Sequence, residues 1–221
     1  MFDGDPYREE LRRRVSTMRR MLEAADPSAP PSNGINIGRE VRGLVILLLF
    51  ASYENLLTSL CRGLLERSAS LRVGNRRLRT GIRQFAIHNL LVSISNSTEK
   101  KIWKESGRKL LECAFDSKNC TIDANIFPAD GSFMKRSQVS LLFDIFDLGE
   151  PGSILKEIWG RLDTIVVERN NIAHGKVTPE EIGRAYSHAD VRGLVASWEA
   201  RWLEVIAHVE SAASARGFYR I

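Results

Sequence analysis

Three cysteines in 221 residues, Cys61, Cys113 and Cys120, are too few and too scattered for a disulfide scaffold. None belongs to a Cys-x-x-Cys pair or lies at metal-ligand spacing from a histidine, so a structural zinc site is not expected; no motif for another cofactor is read, and none is expected. Proline and glycine are sparse, at 7 and 16 residues, and charge is ordinary, which excludes a fibrous or mostly disordered chain. The chain opens with charged residues and lacks the apolar stretch of a secretory signal. Its longest apolar run, 44–51, falls well short of the roughly 20 residues that span a bilayer. These absences lead to the expectation of a soluble, cytoplasmic protein from a reducing compartment, with no membrane partner.

What is present is enough apolar material, 43% of residues, to bury a core, and a formal charge of +5. The charge is uneven. Residues 1–80 hold 14 Lys plus Arg against 9 Asp plus Glu, whereas residues 81–221 hold 18 of each. The densest stretch contains Arg62, Arg67, Arg72, Arg76, Arg77, Arg79 and Arg83, with Glu66 the only acid. Arginine offers a planar fork of donors to phosphate oxygens, so Arg76, Arg77, Arg79 and Arg83 are candidate phosphate contacts. The plainer alternative is a solvated loop between helices.

Helical periodicity dominates the rest. Leu11, Val15, Met18 and Leu22 form one face of an amphipathic helix, broken by the Pro- and Ser-rich stretch 26–36. A long helix over 38–68, apolar around much of its circumference, should be central and buried. Shorter helices are expected over 81–94 and 102–115, followed by an irregular insertion at 116–136. Val139, Leu142, Phe143 and Phe146 mark another helix, and Leu155, Ile158, Leu162 and Val166 a further one that runs into Glu-Arg-Asn-Asn-Ile-Ala-His-Gly. Thr178, Pro179 and Glu181 spell a capped helix start. A final amphipathic helix carries Trp198 and Trp202, read as core or dimer-contact residues. No alternating strand pattern competes, so the expected class is an all-α helical bundle. Residues 1–37 read as an N-terminal helix and linker, and 38–215 as one helical domain.

One constellation carries chemistry. The apolar stripe of the 155–166 helix continues at the same spacing to Arg169, placing a guanidinium where the core side would be. A buried arginine needs a partner or a cleft, because isolating it costs several kcal/mol. Asn170 and Asn171 follow, both poor mid-helix residues, then His174 and Gly175, the latter a favoured helix stop. Histidine is the side chain suited to proton transfer near neutral pH. Residues five apart on a regular helix are rotated by about 140°, so Arg169 and His174 can border one cleft only if the last turn loosens or the site is composite. In the long helix, Glu54 lies on or beside an apolar face near Phe50, Leu57 and Cys61, and is expected to pair with Arg169 or orient His174. The alternative is a boundary glutamate, with Tyr53 as the inward residue. His88, His188 and His208 read as structural or surface residues.

Arg169, Asn170 and His174, as arginine, a polar residue and histidine after four intervening positions, resemble the signature of the HEPN superfamily, and the setting is most similar to its bacterial RiboL-PSP branch. The resemblance spans roughly 38–211. It implies a metal-independent endoribonuclease acting as a toxin or antiphage effector, in which the RNA's 2′-hydroxyl attacks phosphorus to leave a 2′,3′-cyclic phosphate and a 5′-hydroxyl. His174 would move the proton, Arg169 would clamp the phosphate, and Asn170 would hold the phosphate or fix the cleft, with Glu54 and Asn171 in support. It also implies a homodimer with a composite site, and an antitoxin or defence-system partner contacting 1–36 or 116–136. The competing readings are a non-catalytic HEPN-like module that binds RNA or protein, and an antitoxin-like partner of a nucleotidyltransferase.

Overall fold

The computed structural model describes residues 2–26, 37–118, 121–126 and 134–215. Most of the Pro- and Ser-rich stretch after the first helix, and Asn119, Cys120, Pro128, Asp130 and Gly131 of the expected insertion, lie outside them. The described residues form an all-α bundle. Its helices are α1 (Asp5–Ala24), α2 (Gly38–Ser70), α3 (Thr80–Ala86), α4 (His88–Ser95), α5 (Glu99–Lys101), α6 (Gly107–Ala114), α7 (Arg136–Ile145), α8 (Pro151–Trp159), α9 (Leu162–Ala173), α10 (Pro179–Arg184) and α11 (His188–Ser214). A π-helical turn, Ile102–Ser106, joins α5 to α6.

α2 is the axis of the molecule, with α1, α9, α10 and α11 packed around it. Although its uninterrupted apolar run is short, the 33-residue helix as a whole is long and apolar enough to cross a membrane; here it is the core of the bundle. Tyr53 is fully buried at its centre, stacked on Trp202 and edge-on to Trp198 and Phe50. Its hydroxyl donates to the carbonyl of Met134 at 2.9 Å, and Trp198 Nε1 donates to the Ser52 hydroxyl at 3.2 Å, so these two bury their polar atoms satisfied, whereas Trp202 Nε1 is buried with no hydrogen-bond partner among the described residues. Trp198 and Trp202 are therefore core residues.

α1 belongs to the same core. Leu11, Val15, Met18 and Leu22 are buried in one cluster with α2 and α11, and burial of such side chains is worth roughly 1.5–3 kcal/mol each. Arg8 pairs with Glu210 and Arg19 with Glu199 at 2.5 Å, fixing α1 along α11. The boundary expected at residue 37 thus divides the sequence and not the core.

α10 meets α2 through two glycines. A Cβ on Gly43 would come within 1.9 Å of the Pro179 carbonyl oxygen, and one on Gly183 within 1.8 Å of that of Arg39. Only bare backbone permits this approach. Arg42 Nε then donates to the Gly183 carbonyl at 3.0 Å.

Two expected helices are each split. The 81–94 stripe breaks at Ile87, between α3 and α4, and the 155–166 stripe breaks at Gly160 and Arg161, between α8 and α9. At the second break both halves still face the core, α8 through Leu155 and Ile158 and α9 through Leu162 and Ile165; at the first only α3 does, through Ile82. α3 to α6 form a lobe beyond the C-terminal end of α2. It is thinly packed: α4 buries no residue, and α6 buries only Ala114.

Candidate active site

α9 ends in a complete Schellman motif. Gly175 takes the left-handed conformation (φ 67°), its N–H donates to the Ile172 carbonyl at 3.0 Å, and the Lys176 N–H donates to the Asn171 carbonyl at 2.9 Å. This pattern fixes His174 as the capping residue, with its own N–H on the Asn170 carbonyl and its imidazole exposed to solvent. Asn171 contributes here through its backbone. Four residues on, Thr178 and Glu181 form the expected capping box of α10, with the Glu181 carboxylate 2.7 Å from the Thr178 N–H. The His174-bearing turn is therefore held between a helix stop and a helix start, and α10 is pinned to α2 by the glycine contacts.

Arg169, half-buried on α9, is part of no ion pair among the described residues. Its Cζ lies 4.6 Å from the centre of the Phe50 ring, and Nη1 donates to Asn170 Oδ1 at 2.9 Å. Phe50 is the outermost member of the aromatic cluster built on Tyr53, so the guanidinium caps the core's π surface. Its remaining donors have no partner among the described residues. The structure thus brings together Arg169 and Asn170, adds Phe50, and carries His174 five residues on at the exposed cap. Among the described residues, no hydrogen bond joins the imidazole to Arg169, Asn170 or Asn171.

Glu54 is placed differently from expectation. It is half-exposed on α2, with no hydrogen bond or ion pair to Arg169 or His174. Tyr53 is the inward residue, which turns Glu54 about 100° away from it, and Phe50 occupies the position facing Arg169. The arginine's partner was missed because it is an aromatic ring 119 positions away; the available signal was that Phe50 lies one helical turn before Glu54.

The arginine cluster also divides. Arg83 is only 8% exposed; it donates from Nε to the Asn75 carbonyl at 3.0 Å and from Nη2 to those of Leu78 and Arg76 at 2.7 and 3.2 Å, and it covers the Phe115 ring. It is a latch that holds the loop after α2, and its donors are not offered to phosphate. Arg79 pairs with Asp147. Arg76 and Arg77 are exposed with free side chains among the described residues.

One pair beside the motif had no sequence signal. Tyr186, after α10, donates to Glu168 Oε1 at 2.8 Å, while Glu168 Oε2 is buried without a hydrogen-bond partner among the described residues. Burial pushes the Glu168 carboxyl above its ordinary range, against the opposing pull of the Tyr186 hydroxyl and of Arg161. Burial likewise raises the Tyr186 phenol, with the Glu168 hydrogen bond adding to it. Among the described residues no group of three His, Cys, Asp or Glu side chains gathers as a metal site would require.

The fold and site together define an all-α bundle with an arginine, asparagine and histidine at one helix end. Comparison with protein-family models, with curated proteins and with solved structures found no match.

Proposed function

We propose that the chain is a HEPN-like endoribonuclease whose reacting groups are Arg169 and His174. The observation that carries this reading is the state of Arg169: a half-buried guanidinium seated on an aromatic ring, without a carboxylate among the described residues to neutralise it, beside an exposed histidine. Where an arginine of this chain serves the fold its donors are taken up, by Asp163 at Arg136, by Glu157 at Arg201 and by three loop carbonyls at Arg83, whereas at Arg169 only Asn170 accepts a hydrogen bond among the described residues.

In this reading the imidazole of His174 accepts the proton of the 2′-hydroxyl, the 2′-oxygen bonds to phosphorus, and the 5′-oxygen leaves and takes up a proton. Arg169 neutralises charge on the non-bridging oxygens, and Asn170 fixes the guanidinium's orientation. The five-residue separation of the two groups is accommodated by a homodimer in which each cleft takes Arg169 from one protomer and His174 from the other. A toxin or antiphage role, with a neutralising protein partner, is the physiological setting such an activity fits.

The test is incubation of the purified protein with RNA in EDTA, beside Arg169→Ala and His174→Ala. The reading requires cleavage by wild type alone, cyclic-phosphate ends, and no cleavage where the scissile nucleotide is 2′-deoxy. Equal behaviour of all three proteins would remove it. Activity in a protein that stays monomeric at micromolar concentration would remove the shared cleft.

A further inference from the structure

The motif's own surroundings do not supply the charge that holds a polyanion. Residues 156–204 carry seven Lys plus Arg and eight Asp plus Glu, whereas residues 71–118, from the end of α2 through α6, carry eleven against four. That local excess of seven exceeds the +5 of the whole chain. The positive end of the molecule is therefore the α3 to α6 lobe, of which the arginine-rich loop is one half. Lys100, Lys101, Lys104, Arg108 and Lys109 supply the other half, all exposed and in no ion pair among the described residues.

The same lobe exposes aromatic and apolar side chains. Trp103 is 85% exposed, Leu111 61% and Phe115 60%. On a regular α-helix Trp103 and Leu111, eight residues apart, would be rotated by about 80°. The π turn at Ile102–Ser106 absorbs about one extra residue and brings them to within about 20°, as if seven apart. Leu111 and Phe115 follow at the ordinary spacing of four. The result is one outward stripe about 18 Å long from Trp103 to Phe115. The loop of Arg76 and Arg77 is tied to its Phe115 end, where the Arg76 N–H donates to the Asp116 carbonyl at 3.3 Å and Asn75 Nδ2 to that of Cys113 at 2.8 Å.

We infer that this stripe is a binding platform for single-stranded RNA, with bases stacking on Trp103 and Phe115 and phosphates meeting Arg76, Arg77, Lys104 and Arg108. Exposed rings set among cations that no carboxylate neutralises are what sequence-tolerant single-strand binding uses. A protein partner's interface would instead deplete lysine around its apolar centre. The choice of RNA among polyanions rests on the ribonuclease reading. The lobe begins about 30 Å along α2 from Phe50, so the platform grips substrate away from the cut. Long single strands gain from it and short ones do not.

The test is binding of a labelled oligouridylate, read by anisotropy and by quenching of tryptophan emission that is lost in Trp103→Leu, since Trp198 and Trp202 are buried, Trp159 is half-buried and Trp103 is exposed. The oligouridylate carries 2′-O-methyl groups, so that it is bound without being cut. Trp103→Leu should lose roughly five- to 150-fold in affinity while Trp103→Phe retains most of it. Arg76→Gln with Arg77→Gln should weaken binding and lower the salt dependence by about 0.7 for each phosphate no longer neutralised. Unchanged affinity in Trp103→Leu overturns the platform, as does wild-type binding to anionic lipid vesicles with none to oligouridylate. Cleavage with undiminished affinity in Trp103→Leu leaves the nuclease standing without the platform; tight binding through Trp103 with no cleavage leaves the platform standing without the nuclease.

Discussion

Arg169 rests on Phe50 at 4.6 Å, and this packing replaces the carboxylate partner that a half-buried arginine ordinarily finds. Phe50→Leu keeps an apolar side chain there and removes the π face. A cation–π interaction of about 0.5–2 kcal/mol corresponds to a loss of roughly two- to thirtyfold in kcat/KM, read well below the melting transition, which the lost packing of buried Phe50 should itself lower. Arg169→Lys should lose more, because an ammonium cannot make the planar fork. Steady-state cleavage of a fluorogenic RNA measures both; wild-type rates in Phe50→Leu would separate the ring from the site.

Stability should respond to pH from two directions. The raised Glu168 carboxyl binds its proton more tightly in the folded protein than in the unfolded chain. Its contribution is therefore full below the ordinary carboxylate range and declines as pH rises through the folded value. Glu168→Gln should erase that decline and be at least as stable as wild type above neutral pH. Glu10 works oppositely: hydrogen bonds from Arg13 and then Arg14 hold it down to about 2, so its contribution is present above the ordinary range and lost as pH falls toward 2. Exposure keeps the Glu10 effect small. Urea midpoints across pH for wild type, Glu168→Gln and Glu10→Gln give the two difference curves.

The close glycine packing between α10 and α2 predicts that Gly43→Ala and Gly183→Ala each destabilise by about 1–3 kcal/mol, because backbone must move to admit a methyl group. Alanine is otherwise the better helix former, so a gain in stability would show that the two helices do not pack this closely.

Arg83 and Arg77 should behave as different kinds of residue despite lying in one cluster. Arg83→Met leaves three carbonyls without their donor and should cost about 1–3 kcal/mol in urea denaturation. Arg77→Gln should leave stability within about 0.5 kcal/mol. If the two variants unfold at the same urea concentration, the latch at Arg83 does not hold the loop.

Features set by near neighbours in the chain were legible before the structure. The Thr178 and Glu181 cap, the Gly175 stop and the burial of Leu11, Val15, Met18 and Leu22 follow from spacings of three and four residues. The position of His174 at a helix end was legible for the same reason. What escaped depends on distant partners. Arg79 and Arg83 belong to one run of positive charge, yet Asp147 takes one, three loop carbonyls take the other, and Arg76 and Arg77 remain open. Glu54 has the right spacing to approach Arg169, but the orientation of α2 was decided by packing Tyr53 against Trp198 and Trp202. Trp103 carries no signal of its own within the expected 102–115 helix, and it is the π turn that aligns it with exposed Leu111 and Phe115.

α2 also sets the order in which the chain can be finished. It is complete at residue 70, while most of the helices that enclose it, including the one carrying Trp198 and Trp202, come after residue 160. Among the described residues, α1 is the long helix of that enclosure that precedes α2 in the chain. A nascent chain that lacks α1 would hold this apolar rod in water until α9 to α11 are made, so α1 is placed to cover the axis before it becomes part of its wall.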